Sequence, residues 1–99
     1  MKKTLILIAA LTMTTGPGHA NAVERACNAS DRQAATRALC DCIGDVAEMT
    51  LSNREQRQAA RFFGDPHEAQ VVRMSSNRSD ENFWDRYVAF GRAAERICG

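Results

Sequence analysis

Four cysteines, Cys27, Cys40, Cys42 and Cys98, follow an N-terminal segment built like a secretory signal. No other feature constrains the chain as tightly, because this one bears on compartment, redox state and size together. Met1 to Ala20 has the three parts of such a signal: Lys2 and Lys3, the apolar run Leu5 to Leu11, and a small-residue stretch from Thr14 to Ala20. Cleavage is expected after Ala20, with Ala22 as the alternative point, leaving a single helical domain over residues 23–99. The apolar run is far shorter than the roughly 20 residues needed to cross a bilayer, and no second apolar segment follows it, so the mature chain should contain no membrane span. Glu24 and Arg25 stand just before Cys27, where lipid attachment would want small or apolar residues. The destination implied is periplasmic or secreted.

A mature chain of about 80 residues buries only about 60–65% of the surface its unfolded form exposes, which leaves a marginal core. Small exported domains commonly make up that deficit with disulfides. Every basic residue after Lys3 is arginine, and signal removal takes the formal charge from +1 to slightly negative. The arginines alternate with acids along the chain. A near-neutral balance without a basic stripe argues against nucleic acid as a partner.

Capping signals and apolar periodicity predict about four helices and no strands. Ser30 and Gln33 read as a capping box opening a helix to about Thr50. Its apolar face would hold Ala35, Leu39, Cys42, Ile43, Val46 and Thr50, with Arg37, Asp41, Gly44, Asp45 and Glu48 opposite. Ser52 and Glu55 form a second box, opening a helix through Phe63 that Gly64 should stop in the left-handed conformation. Arg54, Arg57 and Arg61 fall on its wet side. Asp65 and Pro66 start a short helix to about Ser76. Ser79 or Asp80 should cap the last helix, whose apolar stripe is Phe83, Tyr87, Phe90, Ala94 and Ile97. The fold class is all-α, a small disulfide-stapled bundle.

Four cysteines allow three pairings. Cys40 and Cys42 are two positions apart, about 200° around a helix, so their side chains diverge and a bond between them would need a broken helix. Placing Cys42 on the core flank beside Leu39 and Ile43 favours Cys27–Cys40 with Cys42–Cys98. The first of these meets a difficulty: a helix starting at Ser30 carries Cys40 about 15 Å away, at the limit of the three-residue connection from Cys27. Either that helix begins later, or Cys27 and Cys98 exchange partners.

No constellation for catalysis stands out. His67 is the sole histidine beyond the signal, and no base, nucleophile and orienting group can be assigned to one another. A C-x-C pair with one histidine is a poor zinc set, and neither a cofactor nor a metal is expected. The chain reads as non-catalytic. A redox role for Cys40 and Cys42 would need an accessible thiol. The candidate partner surface is Trp84, which lies about 100° off the last helix's apolar stripe together with Val88 and Gly91, with Arg86 and Arg92 close by.

Leu39-Cys40-Asp41-Cys42-Ile43, Thr50-Leu51-Ser52, Gln56-Arg57, Phe62-Phe63 with Asp65-Pro66-His67, and Phe83-Trp84 with Arg86-Tyr87 through Cys98 carry a resemblance that spans nearly all of the mature chain. They resemble a group of small exported alphaproteobacterial helical proteins of uncharacterised function, some of which bear the label arginine transporter. A permease needs several spanning helices, so what that label implies here is at most an accessory or solute-binding role in amino-acid transport. The two expectations are therefore a periplasmic module that binds another protein, and a binder of a small amino-acid ligand.

Overall fold

A computed structural model describes residues 20–99, so the signal segment and its cleavage motif lie almost wholly outside the described residues. The described chain is all-α, with five helices rather than about four: α1 Ala22–Ala29, α2 Arg37–Thr50, α3 Asn53–Gly64, α4 Pro66–Arg73 and α5 Arg78–Cys98. None of them is long and apolar enough to cross a membrane. Two disulfides, Cys27–Cys40 and Cys42–Cys98, staple the bundle. Such bonds fit an oxidising compartment.

The additional helix is α1, and it changes the reading of Ser30. Asn21 opens α1 by accepting a hydrogen bond from the Glu24 N–H at 2.9 Å, and Ser30 closes it by donating its hydroxyl to the Cys27 carbonyl at 2.9 Å. Ser30 is thus a C-terminal residue of α1, not the N-cap of a capping box with Gln33. Residues 31–36 are non-helical, and Thr36 caps α2 by accepting from Leu39 N–H at 3.1 Å. The physical reason is reach. Cys27 and Cys40 have Cα atoms 5.6 Å apart, which a continuous helix from Ser30 to Cys40 would allow only with residues 27–30 fully extended, whereas Cys27 lies in α1. Breaking the helix until Thr36 lets the chain turn back on itself.

Gly44, expected on the wet face of α2, is buried because α1 covers it. A Cβ there would stand 2.8 Å from the Glu24 Cβ, so glycine sets the closeness of α1 and α2. Asn21 reinforces the contact, its amide donating to the Gly44 carbonyl at 2.9 Å and to Glu48 Oε2 at 3.0 Å. Val23 and Cys27, four positions apart, form the buried face of α1.

Downstream, Ser52 accepts from Glu55 N–H at 3.2 Å while Glu55 Oε1 accepts from Ser52 N–H at 2.9 Å, the reciprocal box that opens α3. Gly64 does not stop α3 in a left-handed conformation: it is the last helical residue, and among the described glycines only Gly99 has positive φ. The stop comes from Pro66, which keeps Asp65 out of the helical region (φ -142°, ψ 81°) and takes the first position of α4. Asp65 makes no side-chain capping bond, and α4 ends at Arg73 rather than near Ser76. Asn77, not Ser79 or Asp80, caps α5 by accepting from both their N–H groups, at 2.8 and 3.4 Å.

The core is built around Phe62 of α3. Its ring meets Phe83 and Tyr87 of α5 edge-on, with centroids 6.0 and 5.1 Å away. Val23, Val46, Leu51, Val72 and Phe90 join it in the buried cluster, which Ala47, Ala59 and Ala93 complete and which draws on every helix. Gln56 is buried among them at 3% exposure, and its amide donates to the Leu51 carbonyl at 3.2 Å, occupying an acceptor left free at the end of α2. Ile97 departs from the expected stripe and is 54% exposed, while Cys98, one position on and about 100° around the helix, is the residue bonded to Cys42.

Two predictions concern the α1–α2 contact. Asn21→Ala should lower the unfolding free energy by about 1–2 kcal/mol, and a chain starting at Val23 by at least as much, measured by denaturant unfolding with disulfides intact. An unchanged midpoint in both would remove Asn21 from the account. The Glu24 carboxyl is raised above the usual glutamate range by its shared hydrogen bond with Asp41, by burial, and by the charges of Asp41 and Asp45, with Arg37 opposing. Between the unfolded and the raised folded value the native state binds more protons, so stability falls as pH rises through that window and stays lower above it. Glu24→Gln should therefore raise Tm at neutral pH and lose most of that gain below the unfolded glutamate value. An equal gain at both would show that charge is not the cause.

Candidate functional site

The Cys42–Cys98 bond joins residues 56 apart in sequence and fixes the C-terminal half of α5 along α2. Helix phase then decides what lies between them. Cys42 has Leu39 and Ile43 beside it on α2, and Cys98 is preceded on α5 by Gly91 and Ala94 at seven and four positions. Leu39, Ile43, Val88, Gly91, Ala94 and Cys98 line a groove of about 470 Å³, to which Arg92 and Glu95 also contribute. Its walls are apolar, and its two charged residues, both exposed, have opposite sign.

Gly91 is the informative member. It sits in the interior of a 21-residue helix, where glycine costs about 0.5–1 kcal/mol relative to alanine. Nothing lies within 4 Å of where its Cβ would be, so no packing in the fold requires a glycine there. Its effect is on the groove, which it leaves open.

The structure divides the candidate surface named from the sequence. Val88 and Arg92 line the groove. Trp84 is half-buried, its ring 5.2 Å from Tyr87 and 6.5 Å from Phe62, so it belongs to the aromatic cluster. Arg86 is turned toward the α2–α3 corner: its Nε donates to Glu55 Oε2 at 2.6 Å and its Nη2 to the Thr50 carbonyl at 3.2 Å. Burial alone would raise the Glu55 carboxyl, but the Ser52 backbone hydrogen bond and the Arg86 guanidinium bring it below the usual range. Arg86 thus braces α5 against the corner. Leu39, Ile43 and Glu95 complete the groove. The first two read as core from periodicity alone, and nothing in the sequence singles out Glu95.

All four cysteines are in disulfides, so no free thiol is available as nucleophile or ligand. Among the described residues no group of histidine, cysteine and carboxylate side chains is arranged to hold a metal ion. His67 is exposed on α4. Compared with protein-family models, with curated proteins and with solved structures, the chain matches none. The functional reading accordingly rests on the groove.

Gly91→Ala is expected to stabilise the protein by about 0.5–1 kcal/mol in denaturant unfolding, since the helix gains propensity and no neighbour is displaced. A loss of stability would mean that the fold itself requires the glycine.

Proposed function

We propose that this protein is an exported, non-catalytic interaction module of the periplasm or extracellular space, whose α2/α5 groove receives an amphipathic helix from another protein. The observation that carries this reading is the apolar groove kept open by a mid-helix glycine that no packing inside the fold requires. A helix laying its apolar face into such a groove gains affinity from Leu39, Ile43 and Val88. Arg92 and Glu95, three positions apart on α5, select a partner carrying the complementary acid and base. The signal-like N-terminus and the two disulfides support export.

Site-directed photocrosslinking tests it in the native host. A benzoylphenylalanine side chain at position 88 of the exported protein should yield one adduct of fixed mass, mapping to an amphipathic helical segment. Adding Gly91→Leu fills the groove and should abolish that adduct while Tm is retained. An adduct that survives the filled groove, or that forms equally from position 25, would overturn the reading, as would none at all.

Arg92 and Glu95 also favour a second reading, in which the groove holds an amino acid such as arginine in an accessory or solute-binding role in transport. Their charges match the two ends of such a ligand, and the volume lies within the range of small-molecule sites. Isothermal calorimetry with arginine should then show saturable heat that Arg92→Gln removes. No heat at millimolar ligand would eliminate this alternative.

A further inference from the structure

A second concavity, of about 300 Å³, lies between the exposed face of α3 and the first turn of α5, lined by Arg54, Arg57, Gln58, Arg61, Ser79 and Asp80. The arginines are three and four positions apart, so they stack along one face of α3 over two turns. Like charges at that spacing oppose the helix that carries them. Arg61 is relieved by Glu68, whose Oε2 accepts from Arg61 Nε at 3.1 Å. Arg54 and Arg57 have no ion-pair partner among the described residues. With Arg61 paired to Glu68, Arg54 and Arg57 are the trough's two unpaired guanidinium groups, and Asp80 is the one carboxylate in its lining.

We propose that this trough binds a phosphomonoester, free or carried on a lipid headgroup. At neutral pH such a group carries close to two negative charges on three oxygens, one for each of the unpaired guanidinium groups of Arg54 and Arg57. Guanidinium forks pair with phosphate oxygens two bonds at a time, which a lysine could not do. The Ser79 hydroxyl and the Gln58 amide add neutral donors within the same trough. A single carboxylate has two oxygens rather than three and would satisfy fewer of these donors. The trough is open to solvent, so binding should weaken as salt is added.

The test uses the exported protein with both disulfides intact, labelled with nitrogen-15, at low ionic strength. Titration with glycerol 3-phosphate should give saturable shifts confined to residues 54–61, Ser79 and Asp80, with none from sodium chloride of matched ionic strength. Arg57→Gln should weaken binding about tenfold, while Arg92→Gln in the α2/α5 groove leaves it unchanged. Vesicles of phosphatidic acid in phosphatidylcholine provide the second arm. Sedimentation with them that Arg57→Gln abolishes, without binding of glycerol 3-phosphate, assigns the ligand to a lipid headgroup. Absence of binding in both arms overturns the proposal, and so does binding that neither Arg54→Gln nor Arg57→Gln reduces. Crosslinking from position 88 is independent of these outcomes, so failure here leaves the groove's role to its own experiment.

Discussion

Cys40 and Cys42 leave α2 in directions about 200° apart, and the other helices are arranged by that divergence. Cys40 ties α2 to α1, and Cys42 ties it to the end of α5. One helix therefore carries covalent restraints on two opposed flanks. In the chain-entropy account, closing loops of these lengths restricts the unfolded chain by about 3 and about 4 kcal/mol. Those are large amounts for a domain whose total stability should lie near 5–10 kcal/mol. Both bonds also have a geometric effect that the energy does not express. They determine which residues of α2 face α1, which face α5, and hence where a groove is left.

The parts of this fold legible in the sequence are those fixed by chemistry within a few residues. Ser52 and Glu55 form their box because donor and acceptor are one helical turn apart, and Pro66 opens α4 because its ring presets φ. α1 was not legible, since eight residues do not sustain a helix alone and Val23 and Cys27 are too few to show a period. Its stability comes from docking on α2 and α3, which no local pattern encodes. Missing α1 produced the misreading of Ser30 and the placement of Gly44 on the wet face. The conflict between a helix from Ser30 and a Cys27–Cys40 bond left a later start or another pairing open, and the bond forms with the helix starting at Arg37. The candidate surface was half legible for the same reason. Helix phase alone puts Val88 with Gly91, but the partner that turns Arg86 away, Glu55, is 31 positions distant in sequence.

Rigidity around the groove depends on the corner where α2 hands over to α3. Three acceptors there are taken up by protein donors. Gln56 donates to the Leu51 carbonyl, Arg86 to the Thr50 carbonyl, and Glu55 receives both the Ser52 N–H and the Arg86 guanidinium. Because Arg86 belongs to α5, the corner and the Cys42–Cys98 bond hold that helix at two points about 18 Å apart along its axis. Phe62, packed against Phe83 and Tyr87 beside the Arg86 anchor, resists rolling of the helix about that line.

The two restraints on α5 are chemically different, and this separates the two surfaces it helps to form. The groove lies beside the disulfide, so reducing Cys42–Cys98 would free the last turns of α5, and Leu39 and Ile43 would lose the facing wall that Val88 and Gly91 supply. The arginine trough lies at the other end of α5, next to the Asn77 cap, and its walls are held by the corner contacts and the aromatic cluster rather than by a cysteine. Oxidation state therefore bears on one surface and ionic strength on the other. α5 can contribute to both proposed surfaces because it spans the bundle and is held by a disulfide in its last turn and by the Arg86 contacts near its middle.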